Sequence, residues 1–206
     1  MAHTTFPSSI PKPIDDGACN HLPGTKFPSL SLPSTSGSST DIATLTGLTI
    51  LFCYPRTAAP NETVPDEWNQ IPGARGCTPQ ACSFRDLSKE LLEAGVSNVF
   101  GCSVQDTEYH RELKERTRLP YELLSDEEGD LKKALKLPEM EWEGKKLIKR
   151  LSMVVEDGVI LKVFYPVFPP DRSAGEVLEW LQNEYQGRKT LSTEVENETM
   201  RNLQKR

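Results

Sequence analysis

Hydrophobic positions along this chain fall into short blocks separated by stretches rich in proline, serine and charge. LTILFCY (48–54) is a continuous apolar run with β-branched residues, which predicts a strand buried on both faces. VSNVFGCSV (96–104) predicts a second. Between them Ala81, Phe84, Leu87, Leu91 and Leu92 recur at helical spacing and stop at Gly95. Pro79 suits the first helical position, with Thr78 as the cap before it. Asp106 and Thr107 open a charged helix running to Arg116, and Pro120 ends it. YELL is a short strand, and SDEEGDLKKALKL reads as a capped turn with a short helix. IKRLSMVVEDGVILKVFY is a hairpin, two β-rich runs about Asp157-Gly158. Asp171 then caps an amphipathic helix whose inner face holds Val177, Leu178 and Leu181.

Strand, helix, strand, helix, strand, hairpin, helix is the order of an α/β sandwich with a central mixed sheet. There is no internal repeat and no sign of a second domain. Residues 1–20, with their prolines, serines and charges, form an N-terminal extension expected to be loose or to lie across the surface. Residues 21–47 suit a small hairpin and a helical turn. Residues 55–76 carry four prolines and three acids and predict a long loop; a loop of that length inside a compact domain is commonly functional or disordered. Residues 187–206 form a polar tail of alternating charge, helical or disordered.

Composition narrows the function classes. The 206 residues suffice for one domain with its own core. The net charge of −6 comes with no basic stripe, which argues against a nucleic-acid partner. No apolar run approaches the roughly 20 residues that span a bilayer, so no membrane partner is expected. The N-terminus lacks the apolar core of a secretory signal and the arginines of a transit peptide. The expected compartment is the cytoplasm, with the nucleus possible, where thiols stay reduced. An odd count of five cysteines also fits no secreted disulfide framework. Cys53 and Cys102, inside predicted strands, read as small buried hydrophobes.

GARGCTPQACSFRD (73–86) holds the other chemistry. Cys77 stands at the mouth of the predicted helix. There the first backbone N–H groups lack intrahelical partners and carry partial positive charge, a setting that favours the reactive thiolate. The plainer alternative is a loop cysteine before a helix. Five residues on, Cys82 sits about 7.5 Å further along an ideal helix and about 140° around it. The two Cα atoms would lie about 8.6 Å apart, beyond the roughly 7 Å a disulfide spans. The pair can bond only if the first turn unwinds. That suits a two-stage reaction in which Cys77 is oxidised first and Cys82 attacks afterwards.

These residues resemble the active-site segment of Q-type peroxiredoxins, the bacterioferritin-comigratory-protein group, whose motif reads roughly GCTxEACxFRD. LPGTKFPSLSLPSTSG, LTILFCYPR, GCSVQDTEYHREL, LPYELLSDEEGDLKKAL and RLSMVVEDGVI resemble further family segments in order, so the likeness runs over about residues 22–186. The resemblance implies a thioredoxin-like fold and a peroxidase that needs neither metal nor cofactor. It implies that Cys77 is the peroxidatic cysteine, Cys82 the resolving one and Arg150 the active-site arginine that favours the thiolate and polarises the peroxide. Thioredoxin or a similar dithiol would be the reductant, hydrogen peroxide or an organic hydroperoxide the substrate, and the assembly a monomer or a dimer. Arg85 is a supporting residue of the motif. Lys149, next to Arg150, would point to the opposite face.

The chain departs from the family in one place. The family's PxxxTxxC has a hydroxyl three residues before the cysteine, where this chain has Ala74. Pro55 stands 22 positions before Cys77, which implies a loop insertion at about 57–73. Thr57, just past the strand, is the candidate replacement hydroxyl. The insertion, with Trp68, either covers the site or is a solvated loop. Two other readings of the chain stay open: a redox sensor or partner-binding module without steady turnover, and a degenerate member retained for its surface. The three histidines, His3, His21 and His110, are far apart in sequence. A zinc site on Cys77, Cys82 and His110 would lack a fourth ligand. A hydrolase pairing Cys77 with His110 fits the helix-mouth arrangement poorly.

Overall fold

The computed structural model describes residues 10–186. Five strands form the central sheet: β3 (Leu48–Cys53), β4 (Val96–Ser103), β5 (Glu122–Ser125), β8 (Leu151–Glu156) and β9 (Val159–Phe164). Their order is β5-β4-β3-β8-β9. β3 runs parallel to β4, and β4 to β5, while β8 is antiparallel to both β3 and β9. The sheet is therefore mixed. All six residues of β3 are buried, as its unbroken apolar run requires.

The two faces of β3 lead into two cores. Ile50, Phe52 and Tyr54 join Phe84, Val177 and Trp180 on one side; Leu51 and Cys53 join Phe27, Ile42 and Leu131 on the other. The first core lies under α2 (Cys77–Asp86) and α6 (Ser173–Trp180). Phe52 stacks on Phe84 with ring centroids 4.5 Å apart, which sets α2 down on the end of β3. Cys53 and Cys102 are fully buried neighbours in the parallel register of β3 and β4. Gly101 between these layers cannot carry a Cβ, which would come within 2.6 Å of Leu123 and 2.7 Å of Phe52.

Several elements differ in detail from expectation. The predicted long helix is two: α2 ends at Asp86, and α3 (Ser88–Glu93) follows after Leu87, so Leu92 turns outward, 68% exposed. The helix starts at Cys77, with Gly76 as its N-cap at φ 107°, rather than at Thr78. Glycine takes that positive φ without the strain a Cβ would bring. Asp171 does not cap α6 but lies in a 3-10 turn, Pro170–Arg172, that leads into it. In the small hairpin, β1 (Leu32–Pro33) pairs with β2 (Ser39–Thr40). α4 (Thr107–Thr117) is capped by the Asp106 side chain, which accepts from Tyr109 N–H.

The loop of residues 55–76 is more ordered than its prolines suggest. It contains a single helical turn, α1 (Asp66–Asn69), with Trp68 buried. Opposite it stands a second hairpin that the charged sequence EMEWEGKKLI concealed, β6 (Glu139–Trp142) and β7 (Lys145–Ile148). The Trp68 and Trp142 rings meet edge to face at 5.1 Å, and the Arg56 guanidinium lies over Trp68 at 5.9 Å. α5 (Asp130–Ala134) sits beneath β7, where Lys132 donates to the Lys146 carbonyl. Of the N-terminal extension, Ile10 and Cys19 are buried, and residues 1–9 lie outside the described residues. The tail 187–206 lies outside the described residues.

Candidate active site

Cys77 occupies the first position of α2 and is 4% exposed. The first helical hydrogen bond runs from Gln80 N–H to the Gly76 carbonyl. The N–H groups of Cys77 and Thr78 thus have no acceptor within the helix, and Pro79 has no N–H at all. The thiol donates to the Ala74 carbonyl at 3.6 Å, and Arg150 Nη2 donates to the sulfur at 3.3 Å.

Arg150 comes from the residue before β8 and is 2% exposed. Its Nη2 also lies 3.2, 3.1 and 3.2 Å from the carbonyls of Gly73, Ala74 and Arg75. Its Nη1 donates to Gln80 Oε1 at 2.6 Å. Lys149, beside it in the connection between β7 and β8, pairs instead with Asp16 at 3.0 Å. The arginine therefore ties three things together: the loop before the helix, the first turn of the helix and the sulfur itself.

Gln80 is the part of the site that sequence reasoning missed. It is fully buried, one turn beyond Cys77, and its Nε2 donates to Ser173 Oγ at 3.3 Å. Ser173 and Ser152 hydroxyls lie 2.9 Å apart. A polar residue three positions after the cysteine, on the same face of the helix, was the available signal.

Ala74 is fully buried against Trp68 and Leu147, an apolar cluster built by the insertion and the β6–β7 hairpin. A methyl fits there; a hydroxyl would lose its water without an evident partner. Thr57 does not supply the missing group in this arrangement. Its hydroxyl donates to Gln105 Oε1 at 3.3 Å, its N–H to the same oxygen at 2.8 Å, and its carbonyl accepts from Gln105 Nε2 at 3.0 Å. The carboxamide of Gln105 holds Thr57 on all three polar atoms, and among the described residues the sulfur's partners are Arg150 and the Ala74 carbonyl.

Cys82 lies half-buried further along α2, and both cysteines are free thiols. Burial pushes the Cys82 thiol above its ordinary value, and the guanidiniums of Arg85 and Arg116 oppose that push. With α2 intact the pair cannot bond. Opening the helix would break identifiable contacts. Ser83 Oγ donates to the Gln80 carbonyl at 2.8 Å, Tyr121 Oη to the Ala81 carbonyl at 2.6 Å and Arg85 Nη1 to the Thr117 carbonyl at 2.7 Å. His110 lies elsewhere, its Nε2 2.8 Å from Ser103 Oγ, and His21 Nε2 is 2.9 Å from the Leu135 carbonyl. His3 lies outside the described residues.

The chain that carries this mixed sheet and this helix-mouth thiol is similar to known proteins. The redoxin family profile matches residues 22–178, and the chain belongs to that family. Within it, the chain sits with the Q-type peroxiredoxins. It is 28% identical over 161 residues to the chloroplastic peroxiredoxin Q of Oryza sativa subsp. japonica, covering 78% of this chain and 66% of the rice protein. It is 28% identical over 159 residues to a putative peroxiredoxin bcp of Coxiella burnetii, covering 75% of this chain and 95% of that one. The crystal structure of peroxidoxin BcpB from Mycobacterium tuberculosis superposes with a TM-score of 0.65 at 27% identity, covering 80% of this chain and 99% of that one. The fold is thioredoxin-like. The chain thus spans just under two thirds of the rice protein's length. Among the described residues no helix is long and apolar enough to cross a membrane.

Proposed function

We propose that this protein is a thiol-dependent peroxidase that reduces hydrogen peroxide and organic hydroperoxides. The observation that carries this reading is the placement of the Cys77 sulfur, at the first position of α2 and 3.3 Å from Arg150 Nη2. The helix end and the guanidinium both favour the thiolate and the negative charge that builds on the departing oxygen. The thiolate attacks the nearer peroxide oxygen and the O–O bond breaks. The other oxygen leaves with a proton as water or an alcohol, and Cys77 becomes a sulfenic acid. After the first turn of α2 opens, the Cys82 thiolate attacks the sulfenic sulfur and displaces hydroxide, which is protonated to water. A disulfide results. Thioredoxin, or another dithiol protein, returns both thiols by exchange.

The test is intact mass after fully reduced protein meets one equivalent of hydrogen peroxide, followed by turnover with thioredoxin, its reductase and NADPH. Loss of two hydrogens, mapped to Cys77–Cys82, with steady NADPH consumption supports the whole cycle. Oxygen added to Cys77 without a disulfide removes Cys82 from it. Disulfide without turnover favours the sensor reading, and no change sinks the peroxidase.

A further inference from the structure

Ala74 stands where the family motif has a hydroxyl, and the long loop before it carries a buried tryptophan. Backbone turns join the two in steps of three residues. Trp68 N–H donates to the Pro65 carbonyl at 3.1 Å, Ile71 N–H to the Trp68 carbonyl at 3.2 Å and Ala74 N–H to the Ile71 carbonyl at 3.1 Å. The Cys77 thiol makes the next step, to the Ala74 carbonyl at 3.6 Å. That same carbonyl accepts from Arg150 Nη2, as do those of Gly73 and Arg75 on either side. At the other end the Trp68 indole is 6% exposed, shares an apolar cluster with Ala74 and Leu147, and lies between the Trp142 ring and the Arg56 guanidinium. Turns of this tight kind have poor hydrogen-bond geometry and do not hold their shape unaided. A large apolar ring buried at their start supplies what they lack.

We infer that Trp68 is a positioning residue for the proposed reaction: its indole seats the turns that fix the Ala74 carbonyl, and that carbonyl keeps the Cys77 sulfur and Arg150 in place. This deepens the peroxidase reading and rests on Cys77 being its nucleophile. The carbonyl acts in two opposed ways. As acceptor for the thiol hydrogen it favours the neutral form of Cys77. As acceptor for Arg150 Nη2 it keeps the guanidinium 3.3 Å from the sulfur, which favours the thiolate. A thiol is a weak donor, whereas a guanidinium and a thiolate attract strongly when water is excluded. The second effect prevails, so loosening the turns destabilises the thiolate more than the thiol. The other charged or titratable groups on the elements about this end of α2 are Tyr54 after β3, Arg75 on the loop, His110 on α4, and Asp171, Arg172 and Glu176 before and on α6. Among the described residues none of these side chains bonds to the sulfur. A hydroxyl at position 74 would reach the sulfur directly; here a ring further back along the loop does so through the backbone.

The test uses the full chain and needs no peroxide. Alkylation of Cys77 by iodoacetamide is followed against pH by peptide mass in the parent, Trp68→Ala and Trp68→Phe, and circular dichroism checks the fold of each. The midpoint of the curve reports the thiolate and its plateau reports access, so a loop that merely swings open raises the plateau and leaves the midpoint where it was. The expected result is a midpoint raised by about half a pH unit or more in Trp68→Ala, and by less than half as much in Trp68→Phe, which keeps an aromatic ring in the cluster. A midpoint unmoved or lowered in Trp68→Ala overturns the inference and leaves Trp68 a packing residue. So does a Trp68→Phe midpoint as high as that of Trp68→Ala. If Trp68→Ala does not fold, Trp142→Ala decides the matter: it removes the ring beside the indole and leaves the loop sequence whole, and a midpoint that fails to rise there overturns the inference. Because the readout involves no peroxide chemistry, its failure leaves the peroxidase reading standing, and a failure of turnover leaves this result unaffected.

Discussion

At 2% exposed, Arg150 draws on five acceptors, one of them the Cys77 sulfur. Replacing it with alanine removes the charge that, in the proposed reaction, the thiolate and the departing oxygen both face. The second-order rate of peroxide reaction, followed by stopped-flow fluorescence, is expected to fall by about 100-fold; a fall of less than threefold would mean that the guanidinium has only a structural part. Ala74 makes the opposite point. Ala74→Thr installs the family's hydroxyl, yet here it enters an apolar cluster with Trp68 and Leu147. Urea unfolding should show a loss of about 1–2 kcal/mol, with no gain in rate. The residues proposed for the site stand out in the sequence because each leaves a local mark. Cys77 follows glycines at a helix start, Cys82 lies at a telling spacing, and Arg150 opens the apolar run that forms β8. Thr57 was misplaced because nothing near it in sequence announces Gln105, 48 residues on, which takes all its polar atoms.

At the scale of elements, the proposed cycle requires α2 to be stable enough to present Cys77 and weak enough to release it. The Tyr121 Oη bond to the Ala81 carbonyl is a latch from the segment before β5. Tyr121→Phe removes it while keeping the ring, which meets Phe52 edge-on at 5.7 Å. The expected cost is about 1 kcal/mol. Hydrogen exchange of α2 amides should rise by about fivefold, and formation of the Cys77–Cys82 disulfide after oxidation should quicken by the same factor. Unchanged exchange would mean that the latch does not govern opening. The main strands were readable from their apolar runs, and the β8–β9 hairpin from Asp157-Gly158. The β6–β7 hairpin turns at Glu143-Gly144, with φ values of 49° and 73°, much like the 48° and 76° of Asp157-Gly158. It went unseen because its outward residues are charged and its inward ones few. The break at Leu87 was hidden too, since helical spacing continues across it.

On the scale of the whole molecule, His110 links stability to pH. It is buried between α4 and the sheet, with Nδ1 unpartnered, and burial brings its imidazole down to about 4 from 6.5. Below about 6.5 the unfolded chain takes up a proton that the folded one refuses until about 4. Stability is therefore intact above that window and falls as pH drops through it, by up to about 3 kcal/mol. Urea titrations at pH 7 and pH 4.5 measure the difference, and His110→Phe should flatten it. A wild-type difference unaltered by that substitution would place the titrating group elsewhere.

The insertion and the second hairpin touch through two indoles, Trp68 and Trp142, at 5.1 Å and 76°. Chromophores so close and so inclined share their excited states, and their common absorption splits into bands of opposite circular dichroism. The molecule thus carries an optical signature of whether its loop is seated. Trp142→Phe gives the reference spectrum, and the difference should vanish whenever the loop lifts away. If it fades at a lower denaturant concentration than the helical signal does, the loop opens as a unit of its own while the sheet beneath it stays folded.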